Sequence, residues 1–508
     1  MKYMKKNILF LILFTASILF LWSCKKSFFD AKSEDGSINE SSAFQTKKDF
    51  DAAVIGIYTS LQGGNAGGEA WVKVPGWVSQ EMVDVTTNPK PIDTYMSTGN
   101  GDFLGYWTEL YKIVGSANLV LDKIQVVPAG VLTAAEQKSY IAEAKFLRGF
   151  AYFFLARAFG DIPMPLINYA PELNSLSCTP EAEIWAQVVK DLSESAADLP
   201  EAGDYAAADK GRVSKGAALA YLANAYMYLT DWAKAADASN SLFALTNPKY
   251  KMATKVHTAF SIINKAIPDY NAENIFEVQY REKAGDNFQW GSTPNTGHLM
   301  AAAHSPRNIG DKWASWGGWG EQLLNIKAVN SFEPGDSRRR ELSIAYGDTY
   351  KGELMTDTLF APDWVKCTQT NAGFSTKFWL GNDGGNLSPQ NVPQMRFSEV
   401  LLNFAEIQFN NGANSAGAYG SLNLVRQRAG LAPKTATSDP IVFMTDLMNE
   451  RRHELLNESN LWFHYTRTKT AAKFLMDNYG ITMIDKWYHF PVPQRERDVN
   501  PNLCANGY

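Results

Sequence analysis

The chain has 508 residues, 45% of them hydrophobic and 20% charged, with a formal net charge of −5. That length supports a large buried core and two or three lobes. No basic block is present, which excludes nucleic acid as a natural partner, and the four cysteines stand too far apart for a disulfide framework or a zinc spacing.

The first 24 residues read as an export signal. Lys2, Lys5 and Lys6 precede an apolar run from Ile8 to Trp22, followed by Ser23 and Cys24. A basic stretch ahead of an apolar one directs export. The sequence Leu21-Trp22-Ser23-Cys24 resembles a bacterial lipobox, so Cys24 is expected to become the first mature residue and to carry acyl chains. Each buried acyl methylene adds about 0.8 kcal/mol, and two or more chains make anchoring stable. The other readings are an uncleaved anchor, for which the 15-residue run is short of the roughly 18–20 residues that span a bilayer, and an ordinary signal peptide with an incidental cysteine. Residues 1–23 are assigned as the signal peptide and 24–45 as a lipid-anchored tether. Cys178, Cys367 and Cys504 then remain, and either one bridge or three thiols fits that odd number.

Beyond the tether, helical and irregular stretches alternate. Asp49–Leu61 places Phe50, Val54, Ile57, Tyr58 and Leu61 on one face at helical spacing. Gly63 to Gly68 breaks that helix, and residues 69–105, with Trp71, Trp77, Tyr95 and Phe103 among Gly, Pro, Asn and Asp, read as a long, partly irregular loop. Residues 107–124 are helical again. Thr133-Ala134-Ala135-Glu136 has capping-box spacing and predicts a long helix through Phe159, ended by Gly160. Further helices are expected at 180–199, 214–229 and 231–245. Residues 246–395 are the least regular, with one strand-like alternation at Ile275–Tyr280. Helices return at 396–410, 416–429, 441–457 and 468–478, and Phe490–Tyr508 reads as proline-punctuated coil.

One pair of helices carries a repeat signature. Leu222, Ala223, Tyr226 and Ala235 stand where tetratricopeptide hairpins place a large apolar, a small, an aromatic and a small residue. The small residues let two antiparallel helices approach, and the aromatic fills the space between them. Phe397–Asn410 with Ala416–Ala429 reads as a second, more degenerate hairpin.

Several segments resemble the SusD/RagB family of Bacteroidetes outer-membrane lipoproteins. They are Ala142–Phe154 closing on Phe159-Gly160-Asp161-Ile162-Pro163, Gly211–Ala218, Arg396–Leu402 with Ala405-Glu406, Asn423–Leu431, Glu450–Leu455, and the ending from Phe490-Pro491-Val492-Pro493 to Tyr508. They stand in family order from near residue 49 to the C-terminus. The resemblance implies a mainly α fold of about four tetratricopeptide-like helical hairpins supporting an irregular, loop-rich region with a few short strands. On that basis residues 46–508 form a single SusD-like domain: an N-terminal helical part (46–245), a loop-rich ligand-binding region (246–395) and a C-terminal helical part (396–508). It also implies a partner, a SusC-like TonB-dependent outer-membrane barrel, and a role in passing an oligosaccharide or other nutrient to it. Family members exported to the surface often carry acidic residues soon after the cysteine. Here Lys25-Lys26-Ser27 follows instead, so surface exposure rests on the family.

No catalytic motif stands up to inspection. His453-Glu454-Leu455-Leu456-Asn457 opens like the zinc-protease H-E-x-x-H, but Asn457 replaces the second histidine and a ligand is lost. Neither G-x-S-x-G nor a Walker A sequence occurs. The arginines of Glu450-Arg451-Arg452 and of Arg426 and Arg428 lie in helical, apolar contexts and are expected to form interhelix ion pairs that fix the scaffold.

The sharpest ligand candidate is Asp311–Gly320. Trp313, Trp316 and Trp319 recur every three residues, but Gly317, Gly318 and Gly320 make a helix poor there, each costing about 1 kcal/mol against alanine. Exposed indoles stack on the apolar faces of sugar rings while nearby polar groups bind hydroxyls. Trp77, Trp290 and Tyr106 are further candidates from loop context, against packing under the loops as the plain alternative. The expected function is a non-catalytic, surface-tethered glycan binder with no cofactor and no metal. The alternatives are a structural lid or adaptor of the transporter, a binder of peptide-derived nutrients, and a hydrolase with an unrecognised site.

Overall fold

The computed structural model describes residues 44–508 apart from 64–68, 85–90, 169–174, 261–271, 281–297, 305–319, 321, 346, 351–352, 355–371, 379–387, 413 and 459. Thr46–Tyr508 forms one compact unit. The expectations for residues 1–43, Cys24 included, and for Trp290, Trp313, Trp316, Trp319 and Cys367 fall outside the described residues.

The helices of seven residues or more are α1 (Lys47–Leu61), α2 (Glu69–Val78), α3 (Gly101–Ile124), α4 (Ala134–Phe159), α5 (Glu181–Asp198), α6 (Lys215–Tyr228), α7 (Trp232–Phe243), α8 (Phe397–Asn410), α9 (Ser415–Arg428), α10 (Pro440–Glu454), α11 (Leu461–Arg467) and α12 (Ala471–Tyr479). Local chemistry sets many of the starts. Thr46 and Thr133 form complete capping boxes with Asp49 and Glu136, and Ser214, Asp231, Asn414 and Asp439 cap α6, α7, α9 and α10. Each such cap satisfies amides that lack an intrahelical partner and is worth about 1 kcal/mol.

Among the described residues, α1/α3, α4/α5, α6/α7 and α8/α9 make four helical hairpins stacked in that order, so the tetratricopeptide-like architecture is present. Between α4 and α5 the cross-contacts run down one helix as they run up the other: Lys138 with Asp198, Lys145 with Glu194, Arg148 with Asp191, Phe153 with Trp185. Gly149 permits this approach, because a Cβ there would lie 3.1 Å from that of Asp191. The buried Arg148 fork holds both Asp191 oxygens at 2.8 Å and Asn118 Oδ1 at 2.9 Å, which ties α3, α4 and α5 together. Asn118 and Tyr152 then donate to the carbonyl of Pro165, fixing the chain after Gly160. In the repeat hairpin, Leu222, Ala223 and Ala235 are buried, and Tyr226 packs on a cluster of Met227, Ala235 and Ile407. That cluster joins the third hairpin to the fourth, although 152 residues lie between Phe243 and Arg396. Those intervening residues are an insertion between neighbouring repeats, with the Phe243 ring against Phe397 and Phe404 at its root.

The insertion carries most of the strands: β1 (Met82–Asp84), β2 (Asn274–Val278), β3 (Gln322–Asn325), β4 (Ser343–Ala345), β5 (Thr349–Tyr350), β6 (Glu353–Leu354), β7 (Ala372–Ser375) and β8 (Val392–Arg396). One antiparallel sheet has the order β1-β3-β7-β4, and β2 pairs with β8. β1, from the N-terminal part, joins this sheet in the register Met82↔Leu324 and Asp84↔Gln322. The boundary drawn at residue 245 therefore does not separate two independent layers.

Several local expectations are corrected. Residues 69–105 hold α2, β1, a turn of helix at Ile92–Tyr95 and the start of α3. Pro75 sits inside α2, yet burial of Val72, Val74, Trp77 and Val78 on its neighbours outweighs the hydrogen bond that proline removes. α3 begins at Gly101, where Asn100 caps the Asp102 amide, and not at Trp107. The helix expected to reach residue 457 ends at Glu454, with Asn457 at φ 62°, and α11 follows. The C-terminal tail includes a helix at Gln494–Val499. The strand expected through Tyr280 ends at Val278. Cys178 and Cys504 form a disulfide with Cα atoms 6.0 Å apart across 326 residues, which decides the open question of their pairing.

The arginines singled out in the sequence, Arg426, Arg428, Arg451 and Arg452, are ion-paired within the scaffold, and Arg338 and Arg396 join them. Arg338 reaches Asp336 (2.8 Å), Glu450 (2.6 Å) and Glu454 (3.3 Å). Arg396 holds Glu273 (2.8 Å), Glu454 (2.8 Å) and Glu458 (2.6 Å). Arg428 bridges the same Glu273 and Glu454, while Arg426 joins Glu333 and Glu450. Burial alone would raise the Glu454 carboxyl, but Arg428, Arg396 and Arg338 outweigh it and hold it well below the usual carboxylate range. Glu454, the would-be general base, is thus wholly engaged, and His453 Nε2 lies 3.0 Å from the Ser331 carbonyl oxygen. Around this lattice, Glu406 takes Arg451 and Arg467, and Glu81 takes Arg452.

Removing one partner of a buried pair strands the others. Glu454→Gln is expected to lower the unfolding free energy by about 3–5 kcal/mol, read from urea or guanidinium midpoints. Cys504→Ser opens the long covalent loop and is expected to cost about 2–4 kcal/mol under oxidising conditions, with no difference between variant and parent once both are reduced.

Candidate ligand-binding face

Four segments of the insertion begin or end at one buried aromatic cluster. The Phe378 ring packs edge-on against Phe260 (5.8 Å, 87°) and His298 (6.5 Å, 85°) and lies tilted against His304 (5.5 Å). His298 in turn meets the Tyr280 ring at 5.1 Å and exchanges both backbone hydrogen bonds with Ser388 (3.0 and 2.9 Å). These residues bound the neighbouring segments directly. Phe260 precedes 261–271, Tyr280 and His298 bracket 281–297, His304 precedes 305–319, and Phe378 and Ser388 bracket 379–387. Trp290, Trp313, Trp316, Trp319 and Trp379 lie within those brackets. At the sheet, Asp84 and Gln322 are register partners, so the last described residue before 85–90 stands beside the strand that follows the tryptophan-rich stretch in sequence.

The cluster is bolted to the ion lattice. The Lys377 ammonium, one residue before Phe378, donates to the Glu454 carbonyl (2.9 Å) and to Glu458 (2.5 Å). Burial lowers its pKa to about 8, against the opposing pull of Glu458. Lys377 and the Arg396 guanidinium stand 5.4 and 5.3 Å from the Phe260 ring centroid, within cation–π range. The histidines are uncharged parts of this packing. His304 Nδ1 donates to the Met300 carbonyl (2.8 Å), and burial lowers its pKa to about 4. His298 Nδ1 accepts from the Met300 amide (3.2 Å), which fixes it as an unprotonated nitrogen.

Two of the six ligand candidates belong to the core and are corrected. Tyr106, expected in a loop, lies on α3 and is 1% exposed, against Phe159 and Phe490. Burial pushes its phenol well up. Trp77 lies on α2, is 7% exposed, and stacks on Tyr95 at 5.1 Å with the Lys73 ammonium 4.6 Å from its ring. Glycine and proline density around both positions imitated a surface loop, while the helical spacing that buries them was diluted. The residues of the aromatic cluster were not picked out beforehand. Their one sequence signal is an apolar or aromatic residue at each edge of a Gly/Asn-rich stretch, visible only once those edges are known to meet.

The family described as the SusD family matches residues 369–508, and a second, described as "Starch-binding associating with outer membrane", matches residues 28–227. A SusD-like protein of Formosa agariphila is 26% identical over 503 residues, covering 93% of this chain and 94% of its own length. One from Bacteroides ovatus is 22% identical, covering all of this chain and 90% of its own. Among solved structures, a laminarin-binding SusD-like protein superposes with a TM-score of 0.75 at 22% identity, over 91% of this chain and all of its own. Surface glycan-binding protein A from Bacteroides uniformis gives 0.72 at 22% identity, with the same coverage.

His304 is neutral in the fold and protonates freely when unfolded, so its contribution is complete above pH 6.5 and is lost as pH falls from 6.5 through about 4. The drop in chemical-denaturation midpoint between pH 7 and pH 5 is expected to be smaller in His304→Gln than in the parent chain.

Proposed function

Because the chain belongs to the SusD/RagB family of outer-membrane-associated proteins, we propose that it is a non-catalytic lipoprotein that captures oligosaccharide at the cell surface and delivers it to a SusC-like TonB-dependent barrel. The observation that carries the reading is the aromatic cluster around Phe378. It gathers the ends of four segments, and those segments hold five tryptophans among Asn, Gly, Asp and Gln. Indole faces bind the C–H surface of a sugar, and amides and carboxylates bind its hydroxyls, with no covalent step. Trp313, Trp316, Trp319 and Trp290 are the proposed stacking residues. Among the structural neighbours, one binds laminarin and another is a surface glycan-binding protein, which agrees with this class of ligand.

Two features support a tethered protein outside the cytosol. Cys24 follows an export-type leader. The Cys178–Cys504 disulfide fits an oxidising compartment. The stacked hairpins also favour a second role as a lid on the barrel, since helical repeats present extended protein-binding surfaces.

Affinity electrophoresis of the soluble chain in gels cast with glycans separates these roles. Retarded migration that Trp316→Ala or Trp319→Ala weakens about tenfold or more supports capture. Co-purification with the barrel without retardation by any glycan leaves only the lid. Release of reducing ends from polysaccharide by the pure protein contradicts the non-catalytic reading.

A further inference from the structure

A polar cleft lies between the Ala202–Arg212 segment and the outward face of β2. Its larger lobe has a volume of about 560 Å³ and its smaller lobe about 190 Å³. The two share Lys210, Gly211 and Arg212 on one wall and Glu277 and Gln279 on the other. The larger lobe lies within the range of small-ligand sites.

The walls are preset. Phe276, Val278 and Tyr280 point into the core, so the alternation of an extended chain turns Glu277 and Gln279 outward. Asn391, 2% exposed, donates to Glu277 Oε1 (2.6 Å) and to Gln279 Oε1 (2.8 Å), and Gln279 Nε2 donates to Glu277 Oε1 (2.8 Å). Both amide planes and the carboxylate are thereby locked. Opposite them, Arg212 is saturated by Asp209 (2.9 Å), Asp51 (2.9 Å) and Glu143 (3.2 Å) and is held in place. Gly211, at φ 97°, brings the loop so close that a Cβ would stand 2.8 Å from Gln279 Cγ. Lys210 is exposed at the rim and has no ion-pair or hydrogen-bond partner among the described residues. Tyr205 and Pro248 supply apolar surface in the larger lobe.

Fixed amides, one carboxylate, a free ammonium and a half-buried phenol ring match a ligand dense in hydroxyls. Glu277 and Asp209 oppose a polyanion such as a phosphate ester, and the polar lining opposes an acyl chain. The cleft also adjoins the aromatic cluster, because the Tyr280 amide donates to Asn391 Oδ1 (3.0 Å) and the Tyr280 ring meets His298. We infer that this cleft, built from residues other than the proposed stacking tryptophans, is a second oligosaccharide subsite. The inference rests on the carbohydrate-binding reading above and names a further place where that ligand sits.

The test uses Lys210→Ala and Gln279→Ala, single and combined, with the neutral glycans soluble starch, laminarin and xyloglucan as probes in affinity gels and calorimetry. Both side chains are exposed, and thermal melting confirms that the variants fold like the parent. The expected result is a three- to tenfold weakening per substitution for a glycan that the parent binds, persisting in the Trp316→Ala/Trp319→Ala background. Binding by the parent that neither cleft substitution changes overturns this subsite and leaves the proposed function standing. A parent chain that none of the three glycans retards overturns both.

Discussion

Glu454 and its arginines constrain the rest of the molecule. A carboxylate sealed from water is costly unless every lone pair is met, and here Arg338, Arg396 and Arg428 converge on one side chain. Those three arginines come from the turn after residue 336, the end of β8 and the end of α9. The fourth hairpin, α10 and the C-terminal edge of the insertion can therefore meet in only one arrangement. A packed apolar contact tolerates sliding by fractions of an ångström, whereas a forked pair does not. Lys377 extends the constraint to Phe378, and from there it reaches the ends of the segments that carry the tryptophans. The chain of cause runs from charge pairing to ring packing to the placement of the proposed ligand face.

Legibility in the sequence followed the range of the interaction. The Thr133–Glu136 capping box is written within four residues, and the helix it starts was located to the residue. The α6/α7 hairpin is written within about fourteen residues, and its small and aromatic positions pack as the repeat pattern demands. Arg426, Arg428 and Arg451 were read as scaffold ion pairs from their apolar helical surroundings, but Glu273, Glu333 and Arg338 were not identified as partners. Nothing local links Arg428 to a carboxylate 155 residues away. The pairing of Met82 with Leu324 is equally silent, since each strand is too short to show alternation. Trp77 and Tyr106 differ for another reason: loop-like composition suggests exposure, but the burial pattern of a helix overrides it.

The cleft beside β2 was legible in part. The alternation of Ile275–Tyr280 announced a strand with Glu277 and Gln279 on one face. What faces that pair depends on Gly211, whose backbone conformation no pattern reveals. Both proposed ligand surfaces then trace to one strand, its end anchoring the aromatic cluster and its polar side walling the cleft.

The meeting of Phe243 with Phe397 and Phe404 has an evolutionary consequence. Because the two ends of the inserted stretch are clamped side by side, its length enters the chain's energetics only logarithmically, at roughly 0.6 kcal/mol per doubling. Loops within that stretch can lengthen at little cost, whereas Glu273, Glu333, Arg338 and Arg396 tie the stretch to the helical chassis and hold its frame. Solved structures that share the fold at 22% identity, with TM-scores of 0.75 and 0.72, agree with a chassis that tolerates wide change in sequence.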